Sequence, residues 1–424
     1  MKGTARPQAD TESDLRVDGK RLLARLDELA LIGADPAGGV SRLAYSAEDV
    51  RARDLVAEWM REAGLQVHID PAGNLLGRAP GIGGMRAALV LGSHLDSVAG
   101  GGRLDGPAGV VAAVEAAAAV RDAGALLRHD LAVTAFSNEE GARGTPGMVG
   151  SKAVAGLLGH ADLARPDYEG VPLAERISAA GGDPDRIGEA AWVAADIAGF
   201  FELHIEQGPV LEAAGTRIGV VTAVTGQAKV EAVITGAANH AGTTPMARRR
   251  DAVVAAAHLV LEVQRLAIGG HLRAATTGVL RAGPGISNVI PGEAVLGIDL
   301  RDTDHGRITA AIERLGEAAL DIAGRTGTTI ELRPGAVTRQ VGTDPWLASC
   351  VVTAANTLGA PWQYLPSGAG HDAQIMAHLG PMAMIFVPSI GGVSHAPAEA
   401  SKPEDLVLGA DVLLRALLAA DRSG

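Results

Sequence analysis

Residues 87–105 read AALVLGSHLDSVAGGGRLD, and this stretch decides the fold because an apolar run leads into potential metal ligands. The run at 87–92 is short and continuous, which is typical of a buried strand in an α/β sheet. His94 and Asp96 follow it directly, and Asp105 comes a few residues later. Because ligands collect beyond the carboxyl ends of strands in such sheets, the stretch predicts a strand that ends in a binding site.

Three further apolar runs are also followed by polar side chains that can bind metals. These predicted strands cover residues 130–136, 200–205 and 382–387. The polar side chains at or beyond their ends are Glu139, Glu140, His204 and His395. Helical patterns at 108–123 and 403–418 alternate with the strands, which predicts an α/β domain: a mostly parallel or mixed sheet with helices on both faces. Four separate segments would therefore deliver polar groups to one edge of the sheet.

The pattern changes between residues 212 and 334, where strands and helices follow the order β-α-β-β-α-β. The predicted strands are 229–234, 276–280, 294–300 and 328–332, and the predicted helices are 251–266 and 308–323. This order is the ferredoxin-like α+β arrangement. We therefore expect a catalytic domain formed by residues 14–211 and 335–424, an inserted lid and dimerisation domain at 212–334, and a disordered tail at 1–13.

Length, charge and cysteine content narrow the class of protein. A chain of 424 residues is too long for one compact core, so two domains are expected. The net charge of −12 argues against a nucleic-acid or anionic-membrane partner. Cys350 is the only cysteine, so no disulfide framework can form within the chain. Without a signal-peptide pattern or a membrane span, these features predict a cytoplasmic protein.

The ligand types predict a hydrolase with two divalent cations. A carboxylate can bridge two cations roughly 3.5–4 Å apart, as two-metal hydrolases require. Such a pair lowers the pKa of a bound water, and Glu139, beside Glu140, is the predicted general base. Asp96 is expected to accept from the His94 imidazole and to fix its orientation. Zinc fits the mixed set of imidazoles and carboxylates, and manganese, cobalt or nickel could replace it.

Longer motifs resemble one protein family over residues 19–418. They are GSHLDS at 92–97, EEGAR at 139–143, ELHIEQG at 202–208, NHAGTTPM at 239–246, SGAGHDA at 367–373, FVPS at 386–389 and SHAPAE at 394–399. The chain resembles the amidase, hydantoinase and carbamoylase branch of the dinuclear-metal aminoacylase and carboxypeptidase superfamily. A histidine at position 204, where the peptidases of the superfamily usually carry a carboxylate, indicates the carbamoylase branch. Gly144 is a departure, because many relatives carry an aromatic residue there.

The resemblance implies a role for each matching residue. One cation would be held by His94, Asp105 and His204, and the other by Asp105, Glu140 and His395. Substrate would be bound by Gln207, His240, Asn288, Arg301, Gly370 and His371. The family counterpart of His240 is donated by the neighbouring subunit to the developing oxyanion, so a homodimer through the inserted domain is expected. Arg301 can also grip a substrate carboxylate with both arms of its guanidinium.

These observations favour hydrolysis of the carbamoyl C–N bond of an N-carbamoyl-L-amino acid, with a small ureido acid as substrate. Allantoate amidohydrolase is the nearest alternative, because its substrate also carries a ureido group beside a carboxylate. β-Ureidopropionase, aminoacylase or peptidase activity, and a non-catalytic binding protein, are further alternatives. The intact set of five ligands together with Glu139 argues against the last of these.

Overall fold

The structure is a computed structural model that describes residues 15–424, except for the side chains of Met85 and Arg86. It divides into two compact units. Unit 1 comprises the described residues up to Thr222 with Thr343–Leu365 and Gly370–Gly424, and unit 2 comprises Ala223–Gly342 with Pro366–Ala369. The tail predicted at residues 1–13 lies outside the described residues.

Helices and strands alternate through most of the described chain. The α-helices are α1 Gly19–Ala30, α2 Ala47–Glu62, α3 Pro107–Asp122, α4 Val149–Val154, α5 His160–Leu163, α6 Leu173–Ala179, α7 Val210–Ala214, α8 Ala252–Ile268, α9 His305–Thr326, α10 Pro345–Thr357, α11 Asp372–Met376 and α12 Pro403–Ser423. The strands are β1 Gln66–Ile69, β2 Leu75–Ala79, β3 Met85–His94, β4 His129–Phe136, β5 Ile197–Ile205, β6 Ile218–Val224, β7 Gly226–Thr235, β8 Asn239–His240, β9 Ala274–Gly283, β10 Val289–Ile290, β11 Glu293–Asp302, β12 Thr329–Thr338, β13 Val341–Gly342, β14 Trp362–Ser367 and β15 Met382–Val387. Short 3-10 helices lie at Pro184–Ala190, Ala194–Asp196, Met246–Arg248 and Ile390–Gly392.

Unit 1 is built on a mixed sheet with the strand order β1-β2-β4-β3-β5-β15-β6, in which β14 also pairs with β6. The neighbours β4, β3, β5 and β15 run parallel to one another. Strands β2 and β6 are antiparallel to this central group. The mixed sheet predicted from the sequence is confirmed, and its four parallel strands are the four runs that precede the candidate ligands.

Helices cover both faces of this sheet, as predicted. Successive side chains of a strand point to opposite faces, and on β5 Phe201 and Leu203 belong to a hydrophobic core that includes α3, α10 and α12. On the other face, Glu202 accepts a hydrogen bond from the backbone N–H of Ala373 in α11. Helix α3 packs so closely on β5 that a Cβ atom at Gly109 would lie 2.2 Å from the carbonyl oxygen of Leu203.

Unit 2 contains a four-stranded antiparallel sheet with the order β12-β7-β11-β9 and the helices α8 and α9. Alternate residues of β7 and β11 are buried, because only one face of the sheet packs on the helices. The element order is the predicted ferredoxin-like one. Aspartates start both helices: Asp251 and Asp304 each accept hydrogen bonds from two backbone N–H groups of the first turn.

The observed boundaries of the units differ from the predicted limits at 211/212 and 334/335. Residues 218–224 form β6, which pairs with β15 of the unit 1 sheet. At the other limit, β12 continues past Pro334 to Thr338. Cys350 is buried in α10. No described helix has the length and the apolar character that crossing a membrane requires.

Candidate metal centre

The candidate ligands lie at the carboxyl ends of the four parallel strands. His94 is the last residue of β3, and His204 is the second-last residue of β5. Glu140 follows β4, and His395 lies in the loop beyond β15. Asp105 comes just before α3. Parallel strands end at the same edge of a sheet, so residues far apart in sequence meet there.

Asp105 lies at the centre of the cluster, and its two carboxylate oxygens face different partners. Oδ1 is 3.1 Å from Nε2 of His204 and 3.8 Å from Nε2 of His94. Oδ2 is 3.0 Å from Nε2 of His395, and that nitrogen is 3.4 Å from Oε1 of Glu140. The five residues thus form two groups that could each hold a metal ion and that share Asp105.

The chemistry of these groups fits divalent cations. Glu140 Oε1 and His204 Nε2 are buried, and their close contacts with His395 and Asp105 do not have hydrogen-bond geometry. Both atoms can bind a metal. Burial, followed by the nearby Asp105 carboxylate, raises the pKa of Glu140 to about 8. Burial and the carboxylates of Asp372 and Glu140 raise the pKa of Glu139 well above its usual range. Crowded buried carboxylates of this kind are stabilised when cations neutralise them.

Asp105 also raises the pKa values of two imidazoles, and for them the shift favours the charged form. Burial lowers the pKa of His204, but the Asp105 carboxylate outweighs it and raises that pKa to about 9. The contact with Asp105 likewise raises the pKa of His395 to about 9. His204 and His395 together hold the pKa of Asp105 well below its usual range, although burial opposes this shift. Protonated imidazoles therefore balance part of the acidic charge, and a cation would displace those protons.

Asp96 orients His94 through a different atom from the one predicted. The backbone carbonyl of Asp96 lies 3.0 Å from Nδ1 of His94, whereas the nearer carboxylate oxygen is 3.8 Å away. The carboxylate instead accepts hydrogen bonds from the backbone N–H groups of Glu139 and Glu140, at 3.1 and 3.2 Å. It therefore positions the backbone of the acidic pair.

Glu139 reaches the first group of ligands, as a general base would need to do. Its Oε2 is 3.9 Å from Nε2 of His94. Glu140 extends to the second group, where its Oε1 approaches His395. The two adjacent glutamates therefore point to different partners.

Three of the predicted substrate residues lie in unit 1 around this cluster. Gln207 donates from Nε2 to Oδ2 of Asp105 at 2.9 Å, and its own Oε1 is buried without a partner. The ring of His371 packs edge-on against His204, with centroids 4.5 Å apart. At Gly370, an added Cβ would lie 2.6 Å from the side chain of Met148, so no larger residue fits without movement.

The other three predicted substrate residues lie in unit 2. His240 and Asn288 are exposed and close together, since β8 pairs with β10 and the backbone N–H of Ala241 donates to the carbonyl of Asn288. The guanidinium of Arg301 binds both carboxylate oxygens of Asp299 and donates to the carbonyl of Gly368 at 2.7 Å.

Sequence reasoning missed two buried carboxylates behind the ligands, Glu202 and Asp372. Glu202, His204 and His371 form a third group with metal-binding atoms. Both oxygens of Glu202 are already used, since they accept from Ser93 Oγ at 2.7 Å and from the N–H of Ala373 at 2.9 Å. We therefore interpret this group as support for His204. The spacing of two residues on a strand is the signal that could have placed Glu202 on the same face.

The departure at Gly144 has a structural counterpart. Its backbone has a φ of +82°, and an added Cβ would lie 2.6 Å from the ring of Tyr168. The backbone N–H of Tyr168 also donates to the carbonyl of Arg143. A ring from a later segment therefore occupies the space beside this loop.

Comparison with known proteins identifies the family of this chain. Residues 90–419 match the model of peptidase family M20/M25/M40. An N-carbamoyl-L-amino acid amidohydrolase of Geobacillus stearothermophilus is 44% identical over 94% of this chain and 97% of its own. A ureidoglycolate hydrolase of Oryza sativa is 34% identical over 96% of this chain and 85% of its own.

Among solved structures, an amidase of the hydantoinase/carbamoylase family from Burkholderia multivorans superposes with a TM-score of 0.87. It is 39% identical, and the match covers 96% of this chain and 98% of that one. The fold and the site thus define a hydrolase that acts on carbon–nitrogen bonds. The chain belongs to peptidase family M20/M25/M40, and within it to the hydantoinase/carbamoylase amidases.

The two ligand groups predict how metal content responds to substitution. The wild-type chain, stripped and then reconstituted with zinc, should retain two equivalents by elemental analysis. His395→Ala should retain about one, because His395 belongs to one group only. Asp105→Asn should lose most of both, because Asp105 is shared.

The matched control is His68→Ala, which removes an exposed histidine from β1 and should leave two equivalents in place. Equal metal content in Asp105→Asn and wild type would contradict the shared-ligand arrangement.

Proposed function

We propose that this chain hydrolyses the carbamoyl C–N bond of N-carbamoyl-L-amino acids. The observation that carries the proposal is the similarity, over nearly the whole chain, to enzymes named for this reaction, together with the cluster of His94, Asp105, Glu140, His204 and His395. The imidazole at His204 is part of that cluster and is the feature that favoured the carbamoylase branch from the sequence. Zinc is the proposed ion, since it binds such mixed sets of nitrogen and oxygen ligands.

When bound, two divalent cations lower the pKa of a water molecule and polarise a carbonyl oxygen. Glu139 takes a proton from the attacking water while the water oxygen bonds to the ureido carbonyl carbon. Glu139 then gives this proton to the amino-acid nitrogen as the bond between that nitrogen and the carbonyl carbon breaks. The products are a free L-amino acid and a carbamate, which decays to carbon dioxide and ammonia.

Other residues hold the substrate in this proposal. Gln207 has a buried oxygen without a partner, which can accept a hydrogen bond from a ureido N–H. Asn288 and Arg301 bind the substrate carboxylate. His240 donates to the oxyanion that develops on the carbonyl oxygen, a contribution typically worth a few kcal/mol of the barrier. His371 and Gly370 are the remaining residues proposed to bind the substrate.

The proton transfers predict the effect of removing the base. Glu139→Gln should lower kcat by roughly 10²–10⁴-fold, because an amide cannot accept and return the proton. Steady-state kinetics with a carbamoyl-amino acid measure this change. The metal content and thermal midpoint of the variant should match those of the wild type, since the substitution nearly preserves volume. A kcat that falls by less than about threefold would contradict the proton-transfer role.

A second candidate function is hydrolysis of allantoate or ureidoglycolate. The similarity to enzymes named ureidoglycolate hydrolase favours it, and these substrates also carry a ureido group beside a carboxylate. The candidate metal ligands do not distinguish the two reactions, because the scissile ureido group is common to both substrates. Aminoacylase or β-ureidopropionase activity on the same scaffold would differ in the acyl group or in the length of the acid.

A substrate panel separates these functions. With reconstituted enzyme, kcat/KM should be higher for N-carbamoyl-L-methionine than for allantoate, ureidoglycolate, N-carbamoyl-β-alanine and N-acetyl-L-methionine. N-carbamoyl-D-methionine is the stereochemical control and should not be turned over. Faster cleavage of allantoate or ureidoglycolate would replace the first proposal with the second, and faster cleavage of the acetyl compound would indicate an aminoacylase.

We also propose a homodimer formed through unit 2. Strand β9 is an edge of its sheet and pairs only with β11 among the described strands. Its Val279 and Leu280 are 42% and 53% exposed. An exposed edge with apolar side chains readily pairs with a second copy.

Cys350 is the single cysteine, so no disulfide can form within the chain. This fits a reducing compartment, and we propose the cytoplasm.

Light scattering should give about twice the chain mass of 43.0 kDa. Leu280→Lys should shift the protein toward the monomer and lower kcat, if His240 acts on the substrate of the neighbouring subunit. Ile82→Lys, at an exposed site of unit 1, is the control and should leave the dimer intact. A wild-type monomer with full activity would rule out the dimer.

A further inference from the structure

Glu399 is a buried carboxylate that contacts two loops of the metal centre, although it belongs to neither group of ligands. It is 5% exposed. Its Oε1 accepts hydrogen bonds from the backbone N–H groups of Leu104 and Asp105, at 2.9 and 3.0 Å. Its Oε2 accepts from the hydroxyl of Ser394, the residue before His395, at 2.8 Å. Glu399 thus connects the backbone of the shared ligand to the loop that carries His395.

The contact distances favour one arrangement of the protons in this network. The hydroxyl of Ser394 has a single proton, and its shorter contact is the one to Glu399, since Oδ2 of Asp105 is 3.1 Å away. Gln207 has two protons on Nε2, and it can donate one to Oδ2 of Asp105 and the other to Ser394 Oγ. Gln207 therefore connects the Asp105 carboxylate to Ser394, and Glu399 accepts the proton of the Ser394 hydroxyl.

The loop before Asp105 is shaped around this carboxylate. An added Cβ at Gly102 would lie 1.9 Å from Cδ and from Oε1 of Glu399. The φ of Gly102 is outside the left-handed region, so the backbone itself does not require glycine there. The space at Gly102 is needed because the Glu399 carboxylate occupies it.

Glu399 is placed to support ligands, because its oxygens already face N–H and O–H donors. Replacing hydrogen-bond partners of metal ligands typically costs 10–100-fold in metal affinity. We propose that Glu399 is a positioning residue that holds Asp105 and the His395 loop in the geometry required to retain the metal ions. This inference rests on the metal centre of the proposed function.

The test measures metal affinity directly. Zinc dissociation constants are obtained by competition with a chromophoric chelator, and the visible spectrum of the cobalt-substituted protein reports ligand geometry. Glu399→Ala should weaken binding of the more weakly held zinc ion about 10–100-fold and alter the cobalt spectrum. Glu399→Gln should cause a smaller loss, because its amide oxygen can still accept from the two backbone N–H groups.

Gly102→Ala provides an independent disturbance of the same contact. The added methyl should displace the Glu399 carboxylate and weaken zinc binding in the otherwise wild-type chain. In the Glu399→Ala background the same substitution should cost little more, because the obstructing carboxylate is gone. Such a non-additive double-mutant cycle identifies the two residues as one unit.

Asp421 is the matched control, since it is a 4% exposed carboxylate that accepts from the backbone N–H groups of Arg128 and His129. Asp421→Asn should lower the thermal midpoint without changing zinc affinity. If the wild type binds two zinc ions and Glu399→Ala binds them equally well with an unchanged cobalt spectrum, the inference is wrong and the metal centre stands. If the wild type binds no zinc, the proposed metal centre is wrong, and so is the role proposed for Glu399.

Discussion

The concentration of buried acidic groups at one edge of the sheet is the constraint on which this structure depends. Asp96, Asp105, Glu139 and Glu140 are all buried or nearly so, and burial disfavours their charged forms. Backbone N–H groups satisfy Asp96, and imidazoles balance Asp105. Glu140 keeps a buried oxygen without a hydrogen bond. The protein therefore maintains a charge arrangement that suits cations better than it suits a hydrogen-bonded core.

The parallel strands explain how such a site can be assembled. The four central strands β4, β3, β5 and β15 are adjacent in the sheet and end on the same side. Residues at or just after their ends therefore lie close together, and no long loop is needed to bring them there. Helix α3 begins just after Asp105 and packs closely on β5 through Gly109. The same packing that buries the hydrophobic core thus fixes Asp105 relative to His204.

The sequence predicted the parts of the molecule that rest on apolar periodicity and on strand ends. The four central strands, the main helices and the ferredoxin-like order were all accessible in this way. Strand β1 was not predicted, because it is a short edge strand with exposed side chains that lack an apolar run. The end of β12 was also missed, since Pro334 and Gly335 interrupt the strand pattern there.

Within the site, residue types were predictable and the roles of individual atoms were not. Asp96 was expected to use its carboxylate on His94, yet its carbonyl is the nearer acceptor, and the carboxylate accepts from two backbone N–H groups. The contact between Glu399 and Asp105 joins positions 294 residues apart. No local pattern could indicate it, because it depends on how two loops pack after folding.

The central position of Asp105 also has a thermodynamic consequence. One carboxylate faces both groups of ligands, so whatever occupies one group changes the charge and orientation available to the other. Such linkage is reciprocal: if filling one position alters the affinity of its neighbour by some factor, the neighbour must alter the first by the same factor. Two cations at these positions would therefore bind as a coupled pair.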